Sequence, residues 1–111
     1  MDSMQSYQQF TRTTAVYPKD KAIEYVTLGL AGEAGEIANK VKKLLRGDPR
    51  YAGDPQITNE DLAMELGDLL YYVARFADEI GYPLAEIAAM NVGKLRARQQ
   101  AGTLKGSGDQ R

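Results

Sequence analysis

The sequence predicts an all-α fold. Apolar residues recur at intervals of three, four and seven through most of the chain, and glycine and proline mark the breaks between these runs. No stretch alternates apolar with polar residues as a half-buried strand does, so no β-sheet is expected. With 111 residues, 43% apolar and 26% charged, the chain has material for one core and not for two. Residues 1–101 read as one domain, a four-helix bundle, and 102–111 as a polar, Gly-rich tail.

The first helix is expected over Gln5–Val16, capped by Ser3 or Ser6 and closed by Pro18, with Tyr7, Phe10 and Thr14 on one face. Asp20 is a suitable N-cap for a long second helix from Lys21 to Leu45, whose stripe is Ile23, Val26, Leu30, Ile37, Val41 and Leu44. Arg46–Pro55 is a loop by composition. Thr58-Asn59-Glu60-Asp61 resembles a capping box with Asp in place of Glu, and it starts a third helix with the stripe Leu62, Leu69, Val73, Phe76 and Ile80. Gly81 supplies a left-handed residue after that helix, and Pro83 begins the fourth helix in its first turn. Gly102 ends the fourth helix near Gln100.

Composition excludes several chemistries. Without cysteine there are no disulfides and no thiolate ligands. Without histidine, Ser-His-Asp catalysis, imidazole bases and imidazole metal sites are all ruled out. The net charge of −1 gives no general footprint for nucleic acid. No apolar run approaches the length of a membrane span, and Met1–Ser6 does not resemble a signal peptide. The expected location is the cytoplasm of a cell.

One pattern repeats. Leu30-Ala31-Gly32-Glu33-Ala34-Gly35-Glu36-Ile37 and Leu62-Ala63-Met64-Glu65-Leu66-Gly67-Asp68-Leu69 both read Leu-Ala-x-Glu-x-Gly-acid-aliphatic, and each is followed by a valine, Val41 or Val73. At about 100° per residue, Glu33 and Glu65 fall about 60° from the leucine that opens their repeat, at the edge of the apolar stripe. Glu36 and Asp68 fall about 120° from it, just outside the stripe. Four carboxylates at the margin of a core carry a desolvation cost that clustering increases. A divalent cation relieves both, and an all-oxygen donor set suits Mg²⁺, with Mn²⁺ able to substitute. Gly35 and Gly67 each cost about 1 kcal/mol in a helix relative to Ala, which a close approach of helices or of a phosphate would explain. The plainer alternative is a set of solvated acids with helical pairs such as Glu36–Lys40 and Glu36–Lys43. Two copies on matched faces favour the metal. Ferritin-like di-iron proteins also pair acids on helices, but they need histidines that are missing here.

Gly29–Glu36 and Glu65-Leu66-Gly67-Asp68-Leu69-Leu70-Tyr71-Tyr72 resemble the signature of MazG-like proteins, in the all-α nucleoside triphosphate pyrophosphohydrolase superfamily. The likeness covers about Tyr7 to Arg98. It implies Mg²⁺-dependent cleavage of an NTP or dNTP between the α and β phosphates, giving the NMP and pyrophosphate. It also implies metal ligation by Glu33, Glu36, Glu65 and Asp68, with Glu33 or Glu36 able to take a proton from the attacking water. Asn91-x-x-Lys94-Leu95-x-x-Arg98 resembles the family's phosphate-contacting segment, and Lys40 and Lys43 are further substrate-binding candidates. Lys42 and Arg46 read as solvated. Tyr71 and Tyr72 could stack on a base, although core packing is the usual role of a Tyr on an apolar stripe. The tail resembles that of short phage-borne members, which points to a dNTP, with a purine such as dGTP first.

The leading expectation is therefore an enzyme acting on a small-molecule nucleotide, with neither nucleic acid nor membrane as partner. A non-catalytic dimerisation or adaptor module would explain the amphipathic helices but not the repeated acids. The second and third helices expose more apolar stripe than one small protomer can cover, so a homodimer or a dimer of dimers is expected.

Overall fold

The computed structural model describes residues 3–46 and 57–105. Most of the expected loop, and the tail beyond Lys105, lie outside these residues. The described residues form four α-helices and a short 3₁₀ turn, with no strand among them.

Helix α1 (Met4–Arg12) starts where Ser3 Oγ accepts the Ser6 amide at 3.1 Å. It ends four residues before the expected Val16. Thr13 and Thr14 donate their hydroxyls to the carbonyls of Phe10 and Thr11, at 2.7 and 3.1 Å, and such local bonds compete with the helical ladder. The face it buries is also different. Gln8 and Thr11 are buried, Tyr7 is half-buried, and Phe10 is 51% exposed.

Asp20 does not cap α2. It lies inside the 3₁₀ turn Lys19–Lys21, which Pro18 precedes, and α2 then runs over Ala22–Arg46. Helix α3 (Asn59–Glu79) begins at a full capping box: Thr58 Oγ1 accepts the Asp61 amide at 3.1 Å, and Asp61 Oδ2 accepts the Thr58 amide at 2.8 Å. The Thr58 amide and hydroxyl both donate to the Asp61 carboxylate and hold it below its usual range. Gly81 follows with φ +81°, as expected.

Helix α4 (Leu84–Ala101) starts one residue after Pro83, which sits in the cap position with extended backbone. Proline has no side-chain oxygen to cap a helix, and Gln8 of α1 takes over that task. Its Oε1 accepts the Leu84 amide at 2.7 Å, while its Nε2 donates to the Tyr82 carbonyl at 3.0 Å. Gly102 closes α4 at φ +70°.

Helices α2 and α3 form the main packed pair, and α1 and α4 both lie against α3. The core of one chain is small. Among the described residues the buried apolar side chains are Ala22, Val26, Ala74, Ala77 and Leu84, and three of those five are alanines. The predicted stripe of α3 is only half-buried at Leu69, Val73 and Phe76, and Ile80 is 48% exposed. The deepest face is Ala74, Arg75 and Ala77 instead. The Arg75 guanidinium is buried and pairs with Asp78, which also receives Arg12 Nη2 at 2.7 Å. This polar knot fastens α1 to α3.

The glycines expected to mark close helix approach do not do so. A Cβ built at Gly35 or Gly67 meets nothing within 4 Å. The close approach occurs at Gly29, where the Tyr72 ring occupies the space a Cβ would need.

Candidate metal centre

The two copies of the repeat meet in antiparallel register. Gly29 of α2 lies against Tyr72 of α3, Glu33 lies beside Asp68 and Glu65, and Lys40 reaches Glu65. The two acids on each helix stand three residues apart, just under one turn, so the shared face of the pair gathers them into one place.

Glu33, Glu65 and Asp68 can bring one carboxylate oxygen each to within 4.8 Å of one another. Glu33 and Glu65 are half-buried and Asp68 is exposed, so the trio opens to solvent on one side. Burial raises the Glu33 carboxyl above its usual value, and the negative charges of Asp68, Glu65 and Glu36 raise it further. The cluster thus gathers like charge in one place. Lys40 offsets part of it, with Nζ 2.9 Å from Glu65 Oε1, and the same contact raises the lysine. Lys40 therefore pairs across to α3 as well as facing its own helix's acids. All-oxygen donors and unrelieved negative charge are what a hard divalent cation requires, so the trio fits Mg²⁺ or Mn²⁺.

The remaining sequence candidates are placed unequally. Glu36 is exposed and outside the trio, though close enough for its charge to bear on Glu33. Lys43 is exposed further along α2. Asn91 and Lys94 line a different hollow, with Ile80, Tyr82, Ile87 and Met90, at the far end of α3. Ile80 is roughly 18 Å along that helix from Asp68. Arg98 is buried at 8% exposure and already interacts within the fold. One chain therefore brings Lys40 to the acids, while Asn91 and Lys94 line a hollow elsewhere.

The model of the MazG nucleotide pyrophosphohydrolase domain matches residues 21–103, which include all four acids of the repeat. The chain belongs to the MazG family. A curated relative, the Gene 37 protein of Mycobacterium phage L5, is 44% identical over 114 residues, covering 95% of this chain and 96% of the relative. No solved structure matches. MazG membership supports nucleotide pyrophosphohydrolase activity in general, and the phage relative is consistent with a phage origin. No helix among the described residues is long and apolar enough to cross a membrane.

Sequence reasoning named Tyr71 and Tyr72 on the aromatic side of this MazG chain and missed Tyr17 and Tyr25. Tyr17 stacks on Tyr25 with ring centroids 4.9 Å apart, Tyr25 lies 6.5 Å from Tyr72, and Tyr72 meets Tyr71 edge-on at 5.1 Å. The Tyr71 hydroxyl donates to the Thr14 carbonyl at 3.2 Å, tying the row to the end of α1. The available signal was Gly29, a glycine one turn before Glu33 on the same face of α2.

Proposed function

We propose that the protein is a Mg²⁺-dependent nucleoside triphosphate pyrophosphohydrolase that converts a dNTP, with purines such as dGTP first, to the dNMP and pyrophosphate. The observation that carries this reading is the convergence of Glu33, Glu65 and Asp68 from two copies of one motif, in a chain of the MazG family. Those three carboxylates would hold the cation, with Glu36 joining from the adjacent turn. When bound, Mg²⁺ supplies neutralisation of the triphosphate and a lowered pKa for the attacking water.

The chain's own groups do the rest. Water adds to the α-phosphorus, the bond to the α–β bridging oxygen breaks, and pyrophosphate leaves with that oxygen. Glu36 or Glu33 accepts the proton of the water. Glu36 suits this role because it is exposed and free of the trio's crowding. Lys40 and Lys43 lie on the stretch of α2 beyond the acids, where a polyphosphate would extend. Asn91 and Lys94 enter the reading as groups presented to a second copy, since their hollow lies away from the acids of their own chain.

Assembly into a homodimer or a dimer of dimers is part of the proposal. Leu28, Met64 and Leu66 are 72%, 69% and 55% exposed on the two helices that carry the centre, while the core beneath them is mostly alanine. A soluble chain rarely leaves such surface uncovered.

The test is release of pyrophosphate from a panel of dNTPs and NTPs with Mg²⁺, with products separated by chromatography. Monophosphate plus pyrophosphate is the expected outcome. A diphosphate as first product, or undiminished turnover in excess EDTA, would overturn the reading.

A further inference from the structure

Gly29 and Tyr72 make the closest approach between α2 and α3 among the described glycines. A Cβ at position 29 would lie under 3.0 Å from three atoms of the Tyr72 ring, Cδ1, Cε1 and Cζ, a separation that real Cβ atoms essentially never show. The ring is therefore laid on bare backbone, and it has little freedom to withdraw. Tyr71 meets it edge-on at 5.1 Å, and Tyr25 packs on it at 6.5 Å. Position 29 is four residues before Glu33, and position 72 is four residues after Asp68, so both partners stand one turn from the acids on the same faces.

We propose that Tyr72, seated on Gly29, is a positioning residue that sets the separation of α2 and α3 at the acidic trio. The inference rests on the metal reading given above and names what holds its ligands at working distance. The spacing at stake is small. Oxygens around a Mg²⁺ at about 2.1 Å are about 3 Å apart when adjacent and about 4.2 Å apart when opposite. The trio's oxygens already lie within 4.8 Å of one another without a cation. Parting the helices at the neighbouring turn moves the set away from the spread that one ion accepts. Gly32, Gly35 and Gly67, where a Cβ meets nothing within 4 Å, carry no such constraint.

The test measures Mn²⁺ binding by calorimetry or electron paramagnetic resonance on the full chain, with thermal melting recorded beside it. Gly29→Ala is expected to weaken Mn²⁺ binding at least tenfold and to lower Tm, whereas Gly35→Ala leaves binding unchanged and raises Tm through better helix propensity. Tyr72→Phe keeps the ring and is expected to bind Mn²⁺ like the wild type. Replacing the ring by a smaller side chain makes room for the methyl group, so Gly29→Ala in a Tyr72→Leu background is expected to raise Tm and to recover binding relative to Gly29→Ala alone. Wild-type Mn²⁺ affinity in Gly29→Ala, or a loss that Tyr72→Leu does not relieve, overturns the inference while the metal reading stands. If Gly29→Ala does not fold, the comparison of Tyr72→Leu with and without Gly29→Ala decides the matter: a higher Tm on adding alanine supports the inference, and a lower Tm overturns it. Failure of the wild-type chain to bind Mn²⁺ overturns the metal reading itself.

Discussion

Lys40 Nζ lies 2.9 Å from Glu65 Oε1, so a lysine one turn beyond Glu36 ties α2 to α3 at the edge of the acidic centre. Glu65 must give up this contact before both its oxygens can serve a cation. An exposed pair of this kind is weak. Lys40→Gln is therefore expected to tighten Mn²⁺ binding modestly, by up to about fivefold, and to lower kcat/KM for the triphosphate. Calorimetric titration checks the first effect, and weaker binding by the variant would count against it.

Asp68 is inside the trio and Glu36 is outside it, so their amide variants should fail differently. Asp68→Asn is expected to lose Mn²⁺ binding and turnover together. Glu36→Gln should retain more of its metal affinity while losing roughly 10²-fold or more in kcat if it takes the proton of the water. Both should keep the wild-type circular dichroism. Near-normal kcat in Glu36→Gln would clear it of the base role.

Glu33 is raised from its ordinary 4.5, first by burial and then by the charges of Asp68, Glu65 and Glu36. A raised acid binds its proton more tightly in the fold than in the unfolded chain. The metal-free fold thus loses stability as pH rises from the unfolded carboxylate value through that of Glu33. A cation reverses this penalty once the group is ionised. Excess Mg²⁺ is expected to raise Tm clearly at pH 7 and barely at pH 4, and Glu33→Gln should raise the metal-free Tm while abolishing the Mg²⁺ effect. Thermal melts at the two pH values, with and without EDTA, measure this directly.

Asp78 is held below its ordinary 3.8, foremost by the hydrogen bonds from Arg12 and also by Arg75. A lowered acid contributes stability that is complete above the unfolded value and disappears as pH falls through the folded one. Asp78→Asn leaves the buried Arg75 without its counter-charge, which costs about 3 kcal/mol. Urea unfolding at pH 7 should show that difference, and the gap between variant and wild type should close below about pH 4. A variant as stable as the wild type at pH 7 would show that the knot is not needed to hold α1.

Light scattering is expected to give a multiple of the 12.2 kDa chain mass at micromolar concentration. Met64→Glu or Leu66→Glu, placed on the most exposed apolar part of α3, should shift the mass downward. A monomeric mass in an active wild-type preparation would refute the assembly.

The long periodic elements and their punctuation were legible from the residues. The capping box at Thr58, the left-handed Gly81 and Gly102, and the paired faces of the repeat all follow from local chemistry, and all are present. What escaped was decided by tertiary contacts. Periodicity cannot say that Gln8 will cap a helix whose own cap residue is proline, nor that an arginine will lie deeper in α3 than Phe76. It also assigned Phe10 and Ile80 to a core that one chain does not build. At the site, the repeat identified the acids that converge. Asn91 and Lys94 are grouped with them by resemblance, and they line a separate hollow with Ile80 and Tyr82.

The repeat has one more consequence. Advancing by the interval that carries Leu30 to Leu62 takes Lys40 to Tyr72 and Gly29 to Asp61. An antiparallel pair built from one repeated motif has a local two-fold relation, which exchanges the Gly29–Tyr72 end of the centre with the end where Lys40 faces Asp61 and Glu65. The acids nearly obey that symmetry and the two ends break it, one with a flat aromatic ring and the other with a positive charge. The centre consequently has a head and a tail. A molecule with a planar ring at one end and a chain of phosphates at the other meets complementary neighbours in one direction and mismatched ones in the reverse.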